Sequence, residues 1–157
     1  VAAAAERLRP QAQDAGLTLR VDCGAVPLVA DIDADRISQV VTNLVGNAIR
    51  ATPAGGSVAV ACTGADAWVV LEVADTGEGL APADLDRVFE RFYRVPGRAG
   101  AGQDSGTGIG LTISREIIRG HGGDLVAASA GPGAGAVFTA RLPRIAGASG
   151  PAVPATA

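Results

Sequence analysis

The sequence predicts an α+β fold, a two-layer sandwich with one mixed sheet covered on one face by helices. Two observations predict it. Short strand patterns come in consecutive pairs, SVAVACT with AWVVLEVAD and DLVAASA with AVFTARL. Two helical patterns, about Asp35 to Ala51 and Thr107 to Arg119, stand between strand patterns. Strands paired in this way, interleaved with helices, favour a sheet that buries one face under the helices.

Val1 to Gln13 is alanine-rich and reads as the tail of a helix, broken by Pro10. LTLRVD, Leu17 to Asp22, alternates at period two and reads as a strand. PLVADID, Pro27 to Asp33, can hold a short second strand, after which Asp33 or Asp35 supplies a helix N-cap. In the helix that follows, Ile37, Val40, Val41, Leu44, Val45, Ala48 and Ile49 repeat at helical spacing. Thr52-Pro53 ends it and Gly55-Gly56 turns the chain. A turn near Gly64 to Asp66 joins the next two strands, and a shorter helix is expected around Ala83 to Phe92. Arg94 to Gly106 holds four glycines and no periodicity, so it reads as a mobile loop. The second main helix carries Ile109, Ile113 and Ile117 on one face and stops at Gly122-Gly123. Ile145 to Ala157 has little to bury and reads as a disordered tail.

The chain has 157 residues, enough for one domain with a core. Aromatics make up only 3%, so aliphatic side chains must build that core. A net charge of −3 argues against a nucleic-acid surface. There is no apolar run of the roughly 18 to 20 residues that a membrane span needs, and no signal-peptide pattern. Cys23 and Cys62 form no CxxC, and Cys62 alternates in phase with Val58 and Val60 as a core residue would. Both cysteines read as reduced, inert and cytosolic.

Chemistry enters with the helix at 35–51. Asn43, Asn47 and Arg50 share a sector of roughly 60° bordering its apolar face. Two readings fit this helix by itself. The three side chains can be a solvated flank, or they can edge a pocket. In the second reading the amide oxygens suit Mg²⁺, which keeps phosphate oxygens with it, and the arginine suits a phosphate.

Other segments bear on that choice. Val69, Leu71, Val73 and Asp75 share one strand face, so a carboxylate ends a row of core residues. Burying it costs several kcal/mol unless a donor satisfies it, and an adenine amino group is one such donor. In DTGEGL, Gly77 and Gly79 let the backbone turn beside a flat ring, although Asp-Thr-Gly is also an ordinary turn. SGTGIGL, Ser105 to Leu111, opens a helix whose start favours phosphate, or is a plain glycine joint. No GK[ST] follows, so it is not a Walker loop. Phe89, Phe92 and Tyr93 read as a small satellite core, with Arg94 beside them able to reach a terminal phosphate.

NLVGNAIRATP, DTGEGL, VFERFYRV, SGTGIGL and HGG occur in the order of the catalytic ATP-binding domain of sensor histidine kinases. From about Leu17 to Arg144 the chain resembles that domain, which shares a superfamily with gyrase, Hsp90 and MutL. The resemblance implies a Bergerat-type two-layer sandwich with ATP between the helices and a lid. It assigns Asn43 and Asn47 to Mg²⁺ and the phosphates, Arg50 and Arg94 to phosphate, and Asp75 to the adenine amino group. Gly77 and Gly79 would lie beside the base. Gly106, Gly108 and Gly110 would form the lid hinge, with Thr107, Ile109 and Leu111 in the same ATP-binding segment. His121 would be structural, near the carbonyls at a helix end.

Two departures stand out. Ala51 replaces an aromatic that packs on adenine in many family members, and Ala136 replaces a threonine. Gyrase-like relatives place a glutamate base where this chain has Asn43, so transfer to an external nucleophile is expected rather than hydrolysis. The acceptor implied is a histidine on a separate dimerisation domain, with a response regulator downstream. A serine/threonine kinase of the anti-sigma type and a non-catalytic nucleotide module are the alternatives. Val1 to Gly16 would be the remnant of a connection to the acceptor hairpin, and residues 17–144 the catalytic domain. Such a fragment should be a cytoplasmic monomer that binds Mg-ATP without labelling itself.

Overall fold

The structure, a computed structural model, describes residues 1–24, 28–65, 67–95 and 108–145. Five strands form one sheet in the order β1-β2-β3-β5-β4. They are β1 (Thr18–Asp22), β2 (Ser57–Ala65), β3 (Trp68–Asp75), β4 (Asp124–Ala128) and β5 (Ala136–Pro143). Only β1 and β2 run parallel; the other pairs are antiparallel. The sheet is therefore mixed, and its helical layer matches the expected α+β class.

The floor of that layer is α3 (Ala34–Ala51). Asp33 caps it, its Oδ1 accepting from the backbone N–H groups of Asp35 and Arg36 at 3.0 Å. All seven aliphatic positions expected to face inward are buried. They meet Val58 and Val60 of β2, Leu71 and Val73 of β3, and Phe138 and Ala140 of β5 in one core. At the far end Thr52 folds back, its hydroxyl donating to the Ala48 carbonyl at 2.6 Å.

The helix beside it, α4, covers Gly110–Gly120, starting later than expected. Thr107, the expected first residue, lies outside the described residues. Its buried positions are Thr112, Ser114 and Ile118, whereas Ile109, Ile113 and Ile117 are half-buried. The isoleucine periodicity therefore marks the flank of the contact, and two small hydroxyl residues mark its centre. Both hydroxyls find carbonyls, Phe89 for Thr112 at 2.8 Å and Gly110 for Ser114 at 2.8 Å.

Four further expectations are corrected. The N-terminal segment forms two short helices, α1 (Ala2–Glu6) and α2 (Arg9–Asp14), with the break before Pro10 rather than at it. Proline is tolerated in the first turn of α2, but in a continuous helix its ring would strike the carbonyl of Glu6. This segment puts Ala4, Ala5 and Ala12 into the core. The expected strand at Pro27 to Asp33 is reduced, among the described residues, to one bridge between Ala30 and Arg144. No continuous helix spans 83–92: two 3-10 turns, Pro82–Asp84 and Arg87–Phe89, replace it. Nor do the three aromatics form a satellite core. Phe89 packs edge-on against Phe138 at 6.3 Å, but Phe92 is 70% exposed with φ 64°. The side-chain bonds of this segment explain the break. Tyr93 donates its hydroxyl to Asp84 Oδ1 at 2.5 Å, and Arg87 lies 4.3 Å from the centre of the Tyr93 ring. The loop expected at Arg94 to Gly106 and the expected tail fall almost wholly outside the described residues.

Candidate functional site

The C-terminal half of α3, the β3 end and the start of α4 converge. Asn43 and Asn47 are half-buried and Arg50 is exposed on the same helix. Asn43 donates its side-chain N–H to the Gly110 carbonyl and to Ser114 Oγ, each at 3.3 Å. Its carbonyl oxygen, the atom a hard cation would choose, takes no part in either bond. Asn47 Oδ1 accepts a hydrogen bond from Arg50 Nη2. Although Arg50 is exposed as a whole, partial burial of its side chain lowers its pKa from the ordinary arginine value.

At the end of β3, Asp75 is 8% exposed. Its Oδ1 accepts from the backbone N–H of Gly77 at 2.9 Å and of Ala136 at 3.3 Å. Two donors, one from the loop after β3 and one from β5, fix the carboxylate's orientation. The Ala136 contribution uses backbone, so the missing hydroxyl at that position leaves this bond intact.

The loop after Asp75 is sewn on both sides. Glu78 donates its N–H to the carbonyl of Ala51, the last residue of α3, at 2.9 Å. A Cβ on Gly77 would lie 2.2 Å from that same oxygen, and one on Gly79 would lie 2.1 Å from the Gly131 carbonyl. These glycines are thus required by neighbouring backbone, whatever else they border. Their partner on the second side is the turn between β4 and β5, which the sequence reading missed. Ser129 anchors it, accepting at Oγ from the Leu80 N–H at 3.0 Å and donating to the Gly135 carbonyl at 2.6 Å. The one signal for it was the glycine density of GPGAG, 131–135.

Of the remaining expected residues, Gly106 and Thr107 lie outside the described residues. Gly108 has φ 68° and accepts from the Phe92 N–H at 3.0 Å, which closes the base of the chain between them. Arg94 is exposed within that closed stretch. Ile109 and Leu111 are half-buried around Gly110 at the start of α4, where no side chain makes a capping bond at Ile109. His121 stands at the other end of α4. One ring nitrogen meets the Ile117 carbonyl at 2.7 Å, and the other accepts from the Asp33 N–H at 3.0 Å. It ties the end of α4 to the cap of α3 and stands apart from the asparagines. The cysteines, unrelated in the sequence reading, are brought together: their sulfurs lie 2.9 Å apart.

An amide-bearing helix, a fixed carboxylate and a helix start facing one another are the parts that a nucleotide site requires. The profile of the histidine kinase-, DNA gyrase B- and HSP90-like ATPase family matches residues 32–146. The chain belongs to that family. Within it, similarity to sensor histidine kinases is extensive. The sensor protein SrrB of Staphylococcus aureus is 39% identical over 138 residues, spanning 88% of this chain. This chain spans 23% of that protein, about a quarter. A mycobacterial sensor histidine kinase, MprB, has a TM-score of 0.74 at 28% identity, covering 90% of each chain. Full-length ShkA, solved with AMPPNP, gives 0.77 at 30% identity over 90% of this chain and 28% of ShkA. The expected resemblance to the catalytic ATP-binding domain of sensor histidine kinases is borne out. Among the described residues, no helix is long and apolar enough to cross a membrane.

Proposed function

We propose that this family member binds Mg-ATP and donates the γ-phosphoryl group to a histidine on a separate dimerisation/phosphoacceptor domain in two-component signalling. One observation carries the reading most. The Asn43 side chain is bonded to Gly110, so the amide row of α3 and the phosphate-favouring start of α4 share one place. Asp75, already oriented by Gly77 and Ala136, takes the adenine amino group.

The residues present fit a magnesium ion. Asn43 and Asn47 supply neutral oxygen donors, which suit a cation that retains phosphate and water ligands. To hold the ion, Asn47 would give up its bond from Arg50, and Arg50 would then be available to a phosphate. The ion supplies neutralisation of phosphate charge. The protein's share is positioning and electrostatics, with Arg50 and Arg94 as phosphate contacts and residues 106–111 as the lid hinge. Asn43 stands where a base would be needed for hydrolysis, and an amide cannot accept a proton at neutral pH. An imidazole acceptor needs no such base. The chain then acts in the cytoplasm as the catalytic part of a longer kinase. Residues 1–16 form the joint to its acceptor hairpin, and a response regulator lies downstream.

Calorimetry with a non-hydrolysable ATP analogue tests the binding. The native chain should bind in a magnesium-dependent manner, and Asp75→Asn should weaken binding on the order of 100-fold, since it replaces a matched acceptor. Native protein indifferent to millimolar nucleotide would end the proposal. With labelled ATP, acid-labile phosphate should appear on a supplied histidine hairpin and not on this chain alone. Phosphate on a serine-bearing partner instead would favour the anti-sigma type of kinase.

A further inference from the structure

We infer that Cys23 and Cys62 form a redox-responsive thiol pair that closes to an intramolecular disulfide under a hydroperoxide, pinning the edge strand β1 to β2. The geometry comes from the one parallel pairing in the sheet. In its register Leu19 faces Val58, Val21 faces Val60 and Asp22 faces Ala61. One rung further, Cys23 stands beside Cys62, on the side of the sheet that carries Leu19, Val58 and Val60. Both cysteines are free, both are half-buried, and their sulfurs are 2.9 Å apart. A disulfide bond is about 2.05 Å long, so closure needs a movement of roughly 1 Å, with neighbouring strands already in place.

Half-burial leaves the pair open to a molecule as small as hydrogen peroxide. Burial first, and the neighbouring Cys23 second, push the Cys62 thiol up to about 12. Cys62 therefore waits as a thiol, and Cys23 makes the first attack. The Cys23 sulfur takes one peroxide oxygen as the O–O bond breaks, and the other oxygen leaves as water after gaining a proton. That step gives a sulfenic acid on Cys23. The Cys62 sulfur then attacks the Cys23 sulfur. The S–O bond breaks, the S–S bond forms, and hydroxide leaves with the Cys62 proton as the second water. Two thiols and one peroxide become one disulfide and two waters, and the sulfurs lose two electrons to the peroxide oxygens.

The bond would act on stability and not on the nucleotide contacts. Val58 pairs with Asp75 at the site end of β2, and Cys62 lies four positions along, roughly 13 Å away at about 3.3 Å per residue. What it would fasten is an edge strand. α1 and α2 lead into β1, so the redox state sets how firmly that segment is held. A thiol pair that closes only on exposure to oxidant fits a reducing compartment, where disulfides are transient and sensory.

The test uses the 157-residue chain itself. After stoichiometric hydrogen peroxide, the protein is unfolded, capped with iodoacetamide and weighed. The expected product is a monomer lighter by two hydrogens that takes up no alkyl group, reversed by dithiothreitol. Its thermal midpoint should rise on the order of 10 °C, from the closed loop between the two cysteines. Cys23→Ser and Cys62→Ser should show neither change. A treated monomer that still takes two alkyl groups overturns the inference, as does a product linked only between molecules. A cross-linked monomer with an unshifted midpoint overturns the claim that the bond pins β1. The native chain alone decides these outcomes if a variant fails to fold.

Discussion

The two halves of the candidate site are built from different materials. The acidic wall at Asp75 is held by backbone. Gly77 and Ala136 orient the carboxylate, and the loop behind it is pressed between the Ala51 and Gly131 carbonyls. The amide floor is held by side chains bonded to one another. Asn47 holds Arg50, and Asn43 holds Gly110 and Ser114. A wall of the first kind is ready before a ligand arrives. A floor of the second kind must trade partners when one does. If the proposed roles hold, the difference teaches that the fold prepares recognition of the base, while the phosphates are left to groups able to change partners.

The sharpest way to break that comparison is at the floor. Asn47→Asp keeps the side chain's shape but puts a negative charge beside the phosphates. It should cut transfer to a histidine hairpin by on the order of 1,000-fold while circular dichroism and thermal melting stay close to native. Asn43→Ala should act in the same direction. Retained transfer in either well-folded variant would remove the metal assignment. A change at the wall should behave in the opposite way, with the fold suffering first. Gly79→Ala sets a Cβ 2.1 Å from the Gly131 oxygen at a residue with φ 67°. It should cost about 2–4 kcal/mol in urea unfolding. A neutral result there would mean the wall is softer than its contacts indicate.

The smallest effect sharpens the comparison at a third side-chain bond, between Tyr93 and Asp84. The hydrogen bond to Asp84 raises the Tyr93 pKa above its ordinary value, with burial adding to it. A raised acid contributes stability that is fully present below the ordinary phenol pKa, about 10, and is lost as the pH climbs through the raised value. Tyr93 is the single tyrosine of the chain, so tyrosinate absorbance reads it directly. Its midpoint should lie above the ordinary value, and Asp84→Ala should bring it back.

The parts legible in the sequence were those set by local pattern. The periodicity of α3 marked every buried position but Gly46, and strand alternation placed Asp75 at the end of a core row. What escaped depended on contacts between distant segments. Helical spacing in 83–92 could not foretell that Tyr93 would turn back to Asp84 or that Phe92 would take a positive φ against Gly108. Buried Ser114 and half-buried Ser129 look like ordinary polar residues until Asn43 and the Leu80 N–H are brought to their hydroxyls from distant segments. The cysteines, 39 positions apart, meet only because β1 and β2 run parallel.

The Phe92 to Gly108 bond has a consequence for evolution at this site. It pins both ends of the intervening chain to nearly one point, so extra length between them need not move the turn at Phe92 from the start of α4. Doubling such a stretch costs only about 0.6 kcal/mol in closure entropy. Insertions and deletions there can change the intervening chain while its two described ends stay in register.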